Sequence, residues 1–308
     1  MEPSVFKPDY IALGAGGIRG MYFLGALHQM KSEGRLTNVK GYSGVSVGAI
    51  ISLLTISGYE PMQIVTLGSD TKLFTDFFNV KLGERMAEMK ENVGLISNTI
   101  IRKKLEEAVI NKIGYVPTLK QLYMITKIDL YIGTYNITHE DVEIISYHTH
   151  PDTSCVTAVL LSTNIPLLFY QLEYEGSVYT DGAFVCPLVI SPFDTGNDNV
   201  LTISVDVDTN SVSDTSQSIS LNEYIHRIIM SPVKRLKKII IENSTDKCKH
   251  LCFLSSISDI TGTTLDARDK AMMIISGLKG CSTFLTRLDR GRGILDKVNY
   301  FKDVIINI

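Results

Sequence analysis

Twice within its first sixty residues the chain passes from a strand-like run through a glycine-rich turn into a helix-patterned segment. The first pass is Tyr10-Ile11-Ala12-Leu13, then Gly14-Ala15-Gly16-Gly17-Ile18-Arg19-Gly20, then apolar residues at helical spacing over 21–33, stopped by Gly34. The second is Gly41-Tyr42-Ser43, then Gly44-Val45-Ser46-Val47-Gly48, then an apolar helix to Ser57, stopped by Gly58. A strand that turns directly into a helix lays that helix on a sheet face. The order therefore predicts an α/β sheet with helices packed on its faces.

Residues 61–125 read as helical throughout, with Pro61 in a first helical turn and charged and apolar residues at helical spacing over 82–91 and 100–110. This stretch is expected to be a helical insertion or cap. β-branched and aromatic alternation predicts strands at 128–137 and 142–147. A helix over 155–162 precedes strand-like runs at 168–174 and 177–180, and 200–207 reads as a buried strand. The Asp/Ser/Thr/Asn-rich stretch 208–218 is expected to be a mobile loop. A core strand at 251–254 and a helix at 265–275 continue the pattern beyond it, which favours a single domain over 1–308.

Composition excludes other classes. Hydrophobic residues make up 44% and charged residues 20%, which is not the make-up of a disordered or fibrous chain. A net charge of −3 lacks the basic excess of a nucleic-acid binder. The five cysteines, Cys155, Cys186, Cys248, Cys252 and Cys281, are odd in number and unpatterned, which suits a reducing compartment. His250 between Cys248 and Cys252 has the spacing of half a metal site, but no second Cys/His pair follows, so these residues read as strand packing. The first residues carry no apolar signal region, and the longest apolar-rich stretch, 47–56, is too short to span a bilayer. The expectation is a soluble intracellular, cytoplasmic protein, or one peripheral to a membrane.

Three short motifs carry chemistry. Gly44-Val45-Ser46-Val47-Gly48 matches Gly-x-Ser-x-Gly, a pattern expected about 0.1 times by chance in a chain of this length. It lies between a strand and an apolar helix, where a nucleophile elbow exposes its serine beside a helix N-terminus. By itself it is equally a glycine-rich turn capped by Ser46. The turn at 14–20 is not a dinucleotide fingerprint, because Arg19 stands where the third glycine is needed, and it lacks the Gly-Lys-Ser/Thr of a phosphate-binding loop. What remains is a turn of backbone N–H groups suited to a negative oxygen, or a tight turn with Arg19 solvated. Asp181-Gly182-Ala183 ends a strand with a carboxylate, which reads as a simple turn or as a base within reach of a serine on the same sheet.

Taken together, these pieces resemble the patatin-like phospholipase family. Gly16-Gly17-Ile18-Arg19-Gly20 is similar to its oxyanion loop, Gly44-Val45-Ser46-Val47-Gly48 to its nucleophile motif and Asp181-Gly182-Ala183 to its Asp-Gly-Gly/Ala motif. Ser162-Thr163-Asn164-Ile165-Pro166 is similar to its Ser-x-Ala-x-Pro segment. The motifs lie within 10–190. Departures are Ala15 for the first glycine of the usual triple, Asn164 where alanine is common, and Cys186-Pro187 at a shortened spacing after Asp181.

The resemblance implies a three-layer α/β/α fold with a mainly parallel central sheet and a helical insertion. It implies a lipid acyl hydrolase without metal or cofactor, acting on a lipid or phospholipid substrate. Ser46 would be the nucleophile and Asp181 its base. Gly16, Gly17, Ile18, Arg19 and Gly20 would form the oxyanion and substrate-binding loop, with N–H groups of Gly16, Gly17 and Ile18 on the oxyanion and Arg19 anchoring the loop, and Gly44, Gly48 and Gly182 would support the motifs. A non-catalytic lipid- or protein-binding descendant and an acyltransferase remain as alternatives. A Ser-His-Asp triad closed by His226 or His250 is the nearest competing hydrolase. The basic-then-apolar run 232–241 reads as an amphipathic surface helix packing Leu236 and Ile240 inward, or as a peripheral membrane contact. Met86, Met89 and Leu95 read as core, or as a cap over a lipid cleft.

Overall fold

A computed structural model of the chain describes residues 5–68, 89, 91–207, 221–257 and 265–290. Its frame is an eight-stranded sheet. Strands β1 (Tyr10–Leu13), β2 (Gly41–Gly44), β3 (Asp129–Asn136), β7 (Val200–Val207) and β8 (Cys248–Ser255) are parallel in the order β3-β2-β1-β7-β8. β4 (Asp141–Ile145) and β6 (Ser177–Asp181) pair antiparallel with β3, and β5 (Leu172–Tyr174) pairs with β6. Among the described residues the helices are α1 (Gly20–Ser32), α2 (Val47–Ile56), α3 (Pro61–Gly68), α4 (Thr99–Ile113), α5 (Leu119–Thr126), α6 (Cys155–Thr163), α7 (Leu221–Glu242) and α8 (Ala267–Asp289).

Side chains alternate across each strand, so the sheet builds two cores. Ile11 and Leu13 face the larger one, with Phe23 of α1, Leu53 of α2, Leu161 of α6 and Phe284 of α8. Ala12 and Val200 face the smaller one, with Ile241 of α7 and Leu188, Ile190 and Phe193. Full burial of each large apolar side chain contributes roughly 1.5–3 kcal/mol. The result is a mainly parallel sheet between helical layers, as the sequence implied.

The register around β3 places the chemistry. Ile132 pairs with both Gly44 and Ile145, so β2 and β4 lie on opposite edges of β3. Residues 134–136 pair with both β4 and β6, so β6 shares the β2 edge. β2 and β6 run in opposite directions and end facing one another there.

Several elements differ from expectation. The stretch 61–125 is not helical throughout: 93–98 is irregular, and Ile96 forms a parallel bridge with Phe169. That pairing also takes residues 168–171 out of β5, which keeps only Leu172–Tyr174. α8 extends to Asp289, well past 275, because its C-terminal half buries Cys281, Phe284 and Leu285. Over 230–242 of α7 the residues turned fully inward are Val233, Lys237 and Ile241, while Leu236 and Ile240 are only half-buried. Met89 is exposed and Leu95 half-buried, so neither is a core residue. The expected loop at 208–218, the helical run over 82–90 and Met86 lie outside the described residues.

Candidate active site

The serine turn is built by close approach. β2 ends at Gly44, Val45 N–H donates to Leu13 O at 3.2 Å, and α2 starts at Val47. Ser46 between them takes φ 56° and ψ −125°, a conformation costing a non-glycine residue about 1–3 kcal/mol. Such strain persists only where the surroundings impose it. Here a Cβ on Gly48 would stand 2.3 Å from Leu13 O, and one on Gly44 2.4 Å from Ala49 N. The spacing of the two glycines around Ser46 is thus a steric requirement of helix meeting strand.

Ser46 is 7% exposed, and its N–H donates to Ser162 Oγ at 3.0 Å. Ser162 Oγ in turn donates to Gly133 O at 2.6 Å. This bridge from elbow to β3 was not assigned a role from sequence, although the segment 162–166 was singled out; a lone buried serine on a helix carries no local signal.

Asp181 closes β6 and is 2% exposed. Its N–H donates to Asn164 O at 2.9 Å, and its Oδ1 accepts Ala183 N–H at 2.8 Å. The Ser46 hydroxyl is near enough to act on this carboxylate. Burial raises the Asp181 pKa to about 7, while the Ser46 hydroxyl and Ala183 N–H act to lower it. Gly182 lies against β3, where a Cβ would stand 2.5 Å from Gly133 O. Asn164 also accepts from Thr180 Oγ1 at 2.9 Å and donates from Nδ2 to Tyr179 O at 3.1 Å, so it clamps the end of β6.

The 14–20 loop forms a 3-10 turn over Gly17–Arg19 that runs into α1. Gly17 takes φ 56°. The first N–H groups of such a turn have no acceptor within it. Arg19 is buried, and its backbone N–H and its Nε both donate to Gly16 O at 3.1 Å. The Gly16 carbonyl is therefore held toward Arg19. Gly17, Ile18 and Gly20 share one cavity with Ser46, whereas Gly16 does not line it. Behind the loop, on the β7 side, buried Lys237 pairs with Asp206 and donates to Val205 O at 3.3 Å.

The cavity holds about 550 Å³. Its walls are mostly apolar, with Met21 and Leu24 from α1, Ile50 and Leu54 from α2, Leu105 from α4, and Phe169. These wall residues were not singled out from sequence, since an Ile or Leu lining a cleft has the same spacing as one in a core.

A triad through His250 is not formed. His250 is buried on β8, with Nδ1 2.8 Å from Thr202 Oγ1 and Nε2 2.8 Å from Ser244 Oγ. In register it lies three strands from Ser43, roughly 14 Å at ordinary strand spacing. The His226 side chain lies outside the described residues. Among the described residues, no group of three or more His, Cys, Asp or Glu is arranged to hold a metal ion. No helix among them is long and apolar enough to cross a membrane.

Comparison with known proteins gives the family and the fold. The family model described as patatin-like phospholipase matches residues 11–194. A protein named probable lipid hydrolase 463L, from Invertebrate iridescent virus 6, is 31% identical over 182 residues, 57% of this chain and 61% of its own. The uncharacterized protein R571 of Acanthamoeba polyphaga mimivirus is 26% identical over 200 residues, 63% of this chain and 64% of its own. The chain thus spans less than two thirds of either viral relative. The crystal structure of VipD from Legionella pneumophila superposes with a TM-score of 0.59 at 15% identity, covering 91% of this chain and 67% of that one. The ExoU–SpcU complex from the type III secretion system of Pseudomonas aeruginosa gives a TM-score of 0.50 at 16% identity, covering 92% and 52%. At these identities the likeness to the solved structures concerns the fold.

Proposed function

This chain belongs to the patatin-like phospholipase family, and we propose that it is a lipid acyl hydrolase cleaving carboxylic esters through a Ser46-Asp181 dyad. The observation that carries this reading is the buried Asp181 carboxylate, its pKa pushed up to about 7 by burial, ending β6 opposite the serine turn while Ser46 lines an apolar cavity. A base poised near neutral pH is half-ionised where it must work, and can both accept and return a proton. The name of the viral relative, a probable lipid hydrolase, supports the same substrate class.

In the first half-reaction Ser46 Oγ attacks the ester carbonyl carbon and its proton passes to Asp181. The tetrahedral oxyanion is held by the N–H groups of Gly17 and Ile18, at the positive end of α1. Collapse breaks the ester C–O bond, and the leaving alcohol takes the proton from Asp181. The acyl group stays on Ser46 with its chain among Met21, Leu24, Ile50 and Leu54. Water then attacks the acyl-enzyme, gives its proton to Asp181 and releases the fatty acid, and Asp181 returns the proton to Ser46. Arg19 acts as a positioning residue, turning the Gly16 carbonyl away so that the loop's N–H groups face the oxygen.

The test is labelling by a fluorophosphonate together with hydrolysis of a fluorogenic phospholipid, with wild type beside Ser46→Ala and Asp181→Asn. The reading expects labelling and turnover in wild type and neither in Ser46→Ala. Turnover retained by either variant would remove the dyad. A folded wild type that binds lipid without labelling or turnover would make the cavity a binding site, and product that appears only with an added alcohol acceptor would make the protein an acyltransferase.

A further inference from the structure

We propose that the rim of the Ser46 cavity, around Val93, Ile100 and Leu167, is a docking face for an anionic lipid surface; this rests on reading the cavity as an acyl-chain site. Leu167 is 57% exposed, Val93 52% and Ile100 49%. Single exposed aliphatics are ordinary, but these three lie on segments next to residues that line one cavity. Leu167 stands beside Leu168 and two residues from Ile165, both of which line the cavity. Ile100 begins the α4 stripe that continues, at helical spacing, through Lys104, Glu107 and Asn111 on the cavity wall. Val93 belongs to the segment tied to the Leu167 turn by Leu95 N–H to Leu168 O at 3.0 Å and Gln171 N–H to Asn92 O at 2.9 Å.

Charge around this rim fits one occupant. Lys103 and Lys104 follow Ile100 and Ile101 in the first turns of α4, beside Arg102, which donates to Thr157 Oγ1 at 3.2 Å and lies 3.8 Å from Glu106. The Lys103 side chain is 76% exposed, and its contact with Glu107 is long, at 3.9 Å. Exposed aliphatics flanked by cations match a bilayer with anionic headgroups, where the cations meet the headgroups and the aliphatics enter the acyl boundary. A cavity mouth held there lets an acyl chain pass from bilayer to Ser46 without crossing water. The basic run on α7 does not compete for this role, because Val233 and Ile241 are spent on the core and Lys237 on Asp206.

The experiment measures co-sedimentation of the full chain, carrying Ser46→Ala so that lipid is not consumed, with phosphatidylcholine vesicles with and without phosphatidylserine. Binding is expected to favour the anionic vesicles. Adding Ile100→Asp or Leu167→Asp should weaken it about tenfold or more, and Lys103→Glu about fivefold on anionic vesicles only. In the Ser46 background the same three substitutions should leave hydrolysis of a short soluble ester unchanged. The proposal is overturned if the Asp variants bind like the parent or the parent binds neither vesicle. It is equally overturned if these substitutions instead abolish self-association seen by light scattering. Should wild type hydrolyse no ester while the Asp variants still lose vesicle binding, the hydrolase reading fails and the docking face stands.

Discussion

Gly44 and Asp181 end their strands facing each other along one edge of β3, Gly44 paired with Ile132 and Asp181 with Thr134, with Gly133 alone between them. A parallel strand and an antiparallel one thus deliver a serine turn and a carboxylate to the same point. The gap is bridged by Ser162, which accepts the Ser46 N–H and donates to the Gly133 carbonyl.

Ser162→Ala removes that bridge and leaves two buried backbone groups without a partner. An unsatisfied buried group costs about 1–3 kcal/mol. Urea unfolding should show a loss in this range. Because Ser162 positions the elbow without touching substrate, kcat should fall by roughly one to two orders of magnitude with KM little changed.

With Asp181 as base, kcat/KM should rise through pH 7, falling about tenfold per unit below it. The same residue makes a stability prediction. Its folded pKa lies above the ordinary 3.8, so the folded state binds this proton more tightly than the unfolded chain does. The stability it contributes is complete below pH 4 and lost as pH rises to 7. Asp181→Asn should therefore raise Tm relative to wild type at pH 8, with the gain fading toward pH 4. A constant difference across that range would count against the burial of the charge.

Gly48→Ala places a methyl group against the backbone of Leu13 and Gly14, atoms that belong to the centre of the sheet and cannot step aside. Overpacking costs of about 1–3 kcal/mol are typical where side chains can yield, so a larger loss is expected here. Soluble yield and circular dichroism would register it as failure to fold, with no loss of activity separable from that.

Lys237 is buried and paired with Asp206, and Cys252 Sγ lies 3.6 Å from Asp206 Oδ2. Burial lowers the lysine pKa, but the Asp206 carboxylate and Cys252 together outweigh this and the net shift is upward. Lys237→Met strands the carboxylate and should cost about 3–5 kcal/mol. The double variant Lys237→Met with Asp206→Asn should recover part of that loss in chemical denaturation. Equal losses in single and double variants would show that the pair is not coupled.

Much of the architecture is legible in the sequence. The strand–turn–helix units of the first sixty residues, the stops at Gly34 and Gly58 and the buried strand Val200–Val207 all follow from spacing and turn chemistry within a few residues of one another. The Gly44-Val45-Ser46-Val47-Gly48 turn was legible for the same reason, since its steric demand is local. Errors arose where a distant segment overrode the local pattern. Residues 93–98 give up helix, and 168–171 give up strand, because they pair with each other across more than seventy residues of sequence. Lys237 lies on the inward stripe of α7, where a sequence count of apolar residues favoured Leu236 and Ile240, because Asp206 on a separate strand supplies its counter-charge.

The sequence by itself determined which residue types the site has at its disposal and the elbow that presents Ser46, for these depend on neighbours along the chain. Only the tertiary structure decided that β6 brings Asp181 to the strand end facing the Ser46 turn, that Ser162 locks the elbow to β3 and that an apolar cavity opens beside Ser46. Each of these rests on strand register and helix packing between segments more than a hundred residues apart. Such contacts are selected by the free energy of the whole packed core, which no local window of sequence contains.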